Sequence, residues 1–166
     1  MRLLNALRAV VFSVGAAYLI FSQDHSAGVG LLVLQIVSSA LVVGGIVLFL
    51  ATKLTVSDLV IPTGIAALVS SMTFILGNQD ELFTLKPLVI LFTLSMAIHD
   101  FVLAMKANAG DAIELRISAG LGSLTGLLFL LAPLNDLNAV GFFSAYLALS
   151  AVQRAVWAAG PTKGKK

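Results

Sequence analysis

The chain has 166 residues, of which 59% are hydrophobic and only 11% charged, with a mean hydropathy of +1.04. A soluble domain carries roughly 25% charged residues, so the polar surface here is too small to cover a soluble globule. The net charge is only +2, with no basic patch interleaved with aromatics, which argues against nucleic acid as a partner; the absence of cysteine excludes disulfides, thiolate metal sites and a cysteine nucleophile.

About 20 mainly apolar residues cross a bilayer. Six segments qualify, at 3–21, 29–51, 59–77, 85–105, 115–132 and 139–159. The expected class is therefore all-α: a polytopic membrane protein of one domain, residues 1–166, with six transmembrane helices and a short basic tail at 160–166. The first segment has a rival reading as a cleaved signal peptide, since small Ala16 and Ala17 precede a polar stretch. The repeat described below needs this segment as a helix. Further along, Ser57 with Asp58 reads as the start of the third helix. Pro62 lies near that start as a bend, Pro133 marks the end of the fifth helix, and Trp157 stands at the interfacial end of the sixth.

The connections are short, so neighbouring helices run antiparallel and pair as three hairpins, at about 3–51, 59–105 and 115–159. Nine Lys and Arg fall on the side of both termini: Arg2, Arg8, Lys53, Lys106, Arg116, Arg154, Lys163, Lys165 and Lys166. Lys86 alone falls on the other. That bias predicts a multi-pass protein of the cytoplasmic (inner) membrane with both termini cytoplasmic. The same point in each hairpin reads Gly44-Gly45, His99-Asp100 and Gln153-Arg154, at spacings of 55 and 54 residues. Three tandem hairpins that enter and leave on one side form a parallel internal repeat, with a pseudo-axis along the membrane normal.

Asp100 is the sharpest candidate for chemistry. It precedes Lys106 by six residues, so it lies roughly 9 Å from that helix end. An ionised carboxylate there must be paired, protonated or hydrated. Arg154 holds the corresponding place in the third hairpin. Three readings stay open: an Asp100–Arg154 ion pair that fixes helix register, an Arg154 that snorkels to the headgroups, and a functional site. His99 points about 100° away from Asp100 on a helix, so the two are not expected to face each other; its readings are a helix contact or a proton relay. Gln153 and Gln35 read as interhelical hydrogen-bonders. Ser118-x-x-x-Gly122-x-x-x-Gly126 makes a small stripe on the fifth helix, either for packing within the chain or for a homo-oligomer seam. Asp111, Glu114 and Arg116 read as local charge balance in the fourth loop. With two histidines, no cysteine and no phosphate loop, no metal, no cofactor and no catalytic residue is expected.

Several stretches carry a family resemblance. They are Arg8-Ala-Val-Val-Phe-Ser-Val-Gly15, Leu41-Val-Val-Gly-Gly-Ile46, Ala119-Gly-Leu-Gly-Ser-Leu-Thr-Gly126 and the following Leu-Leu-Phe-Leu-Leu-Ala-Pro133. By this pattern, over nearly the whole chain, the protein resembles the HdeD-like family of small bacterial inner-membrane proteins. The resemblance implies six spans in three hairpins and an association with acid resistance, with no catalytic residues to carry over. The middle hairpin departs from the pattern, because its first helix lacks the usual glycine, with Ser70 and Ser71 midway between Gly15 and Gly126, and its second adds His99-Asp100.

The expected function is non-enzymatic: a protein in the lipid bilayer that supports envelope or acid-stress tolerance, through self-association or a membrane-protein partner. The alternatives are a small proton-linked transporter or channel using Asp100, His99 and Arg154, and an accessory subunit of a larger membrane complex. The charge bias has a direct check. A fluorescent reporter that matures only in the cytoplasm, fused after Lys166, is expected to be bright. A reporter active only outside the cytoplasm is expected to be active when inserted at His25 and inactive at the terminus.

Overall fold

The computed structural model describes residues 2–51, 56–76 and 80–160. Among them are six α-helices and no strand: α1 (Arg2–Phe21), α2 (Ala27–Ala51), α3 (Val56–Leu76), α4 (Glu81–Lys106), α5 (Ala109–Leu131) and α6 (Asp136–Ala159). All six are long and apolar enough to cross a membrane. At 1.5 Å per residue, helices of 20 to 26 residues measure about 30 to 39 Å, against a hydrocarbon core of about 30 Å. The chain is thus built as a multi-pass membrane protein.

The helices start earlier than their apolar runs. α4 begins at Glu81 rather than at 85, α5 at Ala109 rather than at 115, and α6 at Asp136 rather than at 139. Polar caps set the starts of α2, α4 and α6, since an N-cap side chain satisfies an amide that the helix leaves free. The Asp80 carboxylate accepts from the Phe83 amide at 3.0 Å, and the Asn135 side chain accepts from the Asn138 amide at 2.9 Å. Ser26 Oγ accepts from the Val29 amide at 3.4 Å. Asp111 and Glu114 consequently sit in the first turns of α5 instead of in a loop. α3 opens at Val56, which puts Ser57 inside the helix and not at its cap. Pro62 and Pro87 are each the seventh residue of their helices. Each removes one amide from the ladder without ending the helix.

The inner faces of α2, α4 and α6 meet one another at the centre of the bundle. α1, α3 and α5 lie outside, each wedged between two of these. Each helix also touches its sequence neighbours, and α1 touches α6, so the ring is closed. The broadest faces are α2/α3, α4/α5 and α1/α6, not the faces inside the three sequence-defined hairpins. The core is dense and apolar, with Leu34, Val37, Val89, Phe92, Phe143 and Leu147 fully buried on the three inner helices. The outward faces are as apolar as the inside. Phe21 is 84% exposed, Phe74 81% and Leu50 80%, as suits a surface solvated by acyl chains.

Lipid supplies little hydrophobic force between helices, so close approach of small residues matters more. The Ser118/Gly122/Gly126 stripe is buried and lies against α4 of the same chain. A Cβ at Gly122 would come 2.8 Å from the Thr93 carbonyl oxygen and 3.0 Å from Ala97 Cβ, and one at Gly126 would meet the Leu94 side chain. Of the two readings of these residues, packing within the chain is the one that their contacts with α4 fit. Gly120, two residues away, has open space where its Cβ would stand. Gly122→Ala is expected to destabilise the protein by about 1–3 kcal/mol through overpacking against fixed backbone. Gly120→Ala should leave it unharmed. Thermal unfolding of both variants in detergent checks the contrast.

Candidate functional site

Four helices bring polar side chains to one level of the bundle. α4 supplies His99 and Asp100, α5 supplies Ser118, α6 supplies Arg154, and α1 supplies Asn5 and Arg8. All six residues are buried. Arg8, Asp100 and Arg154 lie five or six residues from the ends of their helices on the side of the termini. They therefore share a depth of roughly 8–9 Å.

Asp100 Oδ2 accepts from Arg154 Nη2 at 2.5 Å and from Ser118 Oγ at 2.6 Å. Arg154 Nη2 also donates to Ser118 Oγ at 2.7 Å, closing a triangle across α4, α5 and α6. Arg154 Nη1 reaches α1, donating to Asn5 Oδ1 at 2.9 Å. The second carboxylate oxygen, Oδ1, faces Arg8 Nη1 at 3.9 Å and His99 Nδ1 at 3.4 Å. One carboxylate is thus held between two guanidiniums. Charge-assisted bonds of this kind are the strong ones, and the planar fork of arginine lets it address two helices at once.

On one side the level is shut by aromatic rings. Phe12 packs edge-on against Phe92, at 6.4 Å between ring centres, and tilted against Tyr146, at 6.2 Å. Toward the termini the packing is looser. A cavity of about 10 Å³ is lined by Asn5, Asp100 and Arg154 and bounded by Leu103, Leu115 and Trp157. That is room for one water. Asn5 Nδ2 and Arg154 Nε as donors, with Asp100 Oδ1 as acceptor, make no hydrogen bond among the described residues. Two donors and one acceptor match what a single water can bind. Two neighbouring cavities, each about 10 Å³, are also lined by Arg8. None of the three holds a solute larger than water.

The structure brings Asp100 and Arg154 together, so Arg154 does not snorkel to the headgroups. His99 differs from expectation, because it lies beside Asp100. Positions 100° apart can both fall within the wide buried face of a central helix, and the imidazole is long enough to reach across. Gln153 turns the other way. Its amide donates to the Glu114 carbonyl at 3.0 Å and to the Glu114 carboxylate at 3.2 Å on α5. Gln35 makes the interhelical bond expected of it, to Ser70 of α3 at 3.0 Å. Gly122 and Gly126 serve packing and lie outside the polar level. Among the described residues no three His, Asp or Glu side chains are placed to hold a metal.

Sequence reasoning missed two members. It counts Arg8 as a charge at a cytoplasmic helix end, whereas Arg8 is buried beside Asp100. Asn5 is not singled out at all. The signal is there: Asn5, Arg8 and Phe12 follow a 3–4 spacing on one helix face. Arg8, Thr63 and Ser118 also stand at 55-residue intervals. Thr63 lies against Gly45 as Ser118 lies against Asp100. The three helix pairs α1/α6, α2/α3 and α4/α5 therefore present matching positions at this level, and only the α2/α3 pair carries no charge there.

Comparison of the chain with protein-family models, with curated proteins and with solved structures returned no match.

The ion pair is open to a double-mutant cycle. Asp100→Asn should cost roughly 3–5 kcal/mol, since it leaves buried guanidiniums without their carboxylate, and Arg154→Gln less, since Arg8 stays 3.9 Å from Asp100. The double variant should cost clearly less than the sum. Chemical unfolding in mixed micelles measures all four proteins, and strict additivity would sink the coupling.

Proposed function

We propose that this chain is a non-enzymatic membrane protein of the inner membrane, with both termini cytoplasmic. In this reading it works as a compact scaffold that associates with itself or with a membrane partner in support of envelope or acid-stress tolerance. The observation that carries the reading is the mutual engagement of Asp100, Arg154, Ser118 and Asn5. The charged groups are spent on one another, beside cavities of water size only. A carrier instead needs polar groups that face a solute-sized site. The resemblance to the HdeD-like family supports the assignment to stress tolerance. Association of the chain as an accessory subunit of a larger complex is a variant of the same reading.

Three tandem hairpins remain the proposed origin of the fold. The caps Ser26, Asp80 and Asn135 are spaced 54 and 55 residues apart, and each accepts from the amide three residues on. The ends of α1, α3 and α5, at Phe21, Leu76 and Leu131, are 55 residues apart. Both spacings match the interval between Gly45 and Asp100.

A second reading keeps one specific observation in its favour. His99 lies 3.4 Å from Asp100, next to a water-sized cavity on the side of the termini. That is an arrangement through which a proton can be exchanged. Proton flux into proteoliposomes discriminates the two. The scaffold reading expects no flux above empty vesicles from pH 4 to pH 8. Flux that is lost in Asp100→Asn would replace it with the transport reading.

A further inference from the structure

We infer that the groove between α4 and α5 binds one phospholipid with a net negative headgroup, its phosphate held by Arg116 and an acyl chain laid along the groove. The groove offers about 420 Å³ of space, open on its outer side, a volume within the range of small-ligand sites. It is far larger than the cavities of the polar level. Its floor is made of small residues, Ala97, Ala119, Gly120 and Ser123, and its walls are Ile98 and Phe101. Ile98 and Phe101 are both more than half exposed, so the groove opens to the lipid and not to the bundle interior.

Arg116 stands at the end of this groove nearest the termini. It is exposed and makes no hydrogen bond or ion pair among the described residues. It is seven residues from the start of α5, hence roughly 10 Å into a helix of about 34 Å. Its long side chain reaches from there to the level of the phosphates. The two acidic residues nearest in sequence are committed elsewhere. Asp111 accepts from Trp157 Nε1 at 3.3 Å, and Glu114 is held by Gln153. Both partners belong to α6, across α5 from the groove. A guanidinium over an apolar trough therefore has no counter-ion among the described residues, and a basic site beside membrane helices is a known design for anionic headgroups.

Charge also argues against a second copy as the occupant. A parallel, two-fold pair across this groove would bring Arg116 toward its own equivalent, and like charges repel strongly where water is excluded. The groove and its arginine lie apart from Asp100 and its partners, so this inference stands independently of the function proposed above.

The test is native mass spectrometry of the full chain released from micelles that contain equal amounts of phosphatidylglycerol and phosphatidylcholine of the same acyl composition. The wild type is expected to retain one phosphatidylglycerol, at least fivefold over phosphatidylcholine. Arg116→Gln should abolish that preference, and Arg116→Lys should keep part of it. Gly120→Leu, which fills the floor, should lower retention of both lipids. Thermal unfolding in lipid-free detergent, expected to be unchanged in all three variants, separates lost binding from lost fold. If Arg116→Gln retains phosphatidylglycerol as the wild type does, the site is not there. If the wild type holds both lipids equally, the arginine selects nothing. If the chain runs as a dimer that Gly120→Leu dissolves, the groove belongs to a second copy.

Discussion

An ionised carboxylate in a membrane interior must find its counter-charges within the protein, and the arrangement of four helices follows from that requirement at Asp100. Stripped of water, the group costs several kcal/mol unless it is paired and hydrogen-bonded. Here the solution draws on α1, α5 and α6 at once, through Arg8, Ser118 and Arg154. Helix sliding or rotation by one residue would break at least one of these bonds. An apolar contact surface tolerates such slips, because one leucine face fits another almost as well. The polar level therefore contributes uniqueness of register more than it contributes net stability.

The remaining layers divide the labour along the bundle axis. On the side opposite the termini, short capping bonds fix where α2, α4 and α6 begin. The middle is a dry core of Phe92, Phe143 and leucines, which an ion could cross only at great cost. Nearer the termini, the polar level is flanked by cavities of one water each. Each has room for one water beside the charges, and the rings of Phe12, Phe92 and Tyr146 pack against one another beyond them.

Much of the architecture was legible because six long apolar runs follow from composition alone. Long apolar runs report spans, and the spacing of 54 residues singled out Asp100 and Arg154 as equals in depth. Helix starts were less legible. Hydropathy marks where side chains leave the lipid, whereas Asp80 and Asn135 extend helices past that point through bonds to backbone amides. The partners of Asp100 were hidden for another reason. Arg8 on a sequence looks like any cation near a helix end, and only the packing of α1 against α6 turns it inward. Ser118 was noticed for its small size, while its hydroxyl is what the site uses. A small residue at a helix interface and a polar one at a buried site are the same residue here, and no linear pattern separates the two roles.

The contrast between Gly122 and Gly120 carries this one step further. Both are small residues on α5, two positions apart, and composition gives them the same meaning. Gly122 is small because the α4 backbone is already there. Gly120 is small with nothing yet against it. In a chain whose outside is as apolar as its inside, hydrophobicity cannot tell a closed interface from an open one. What tells them apart is the accounting of charge beside each. Next to Gly122, Ser118 and Asp100 satisfy one another within the protein. Next to Gly120, Arg116 has no such partner among the described residues, and in the inferred site a lipid phosphate supplies the negative charge.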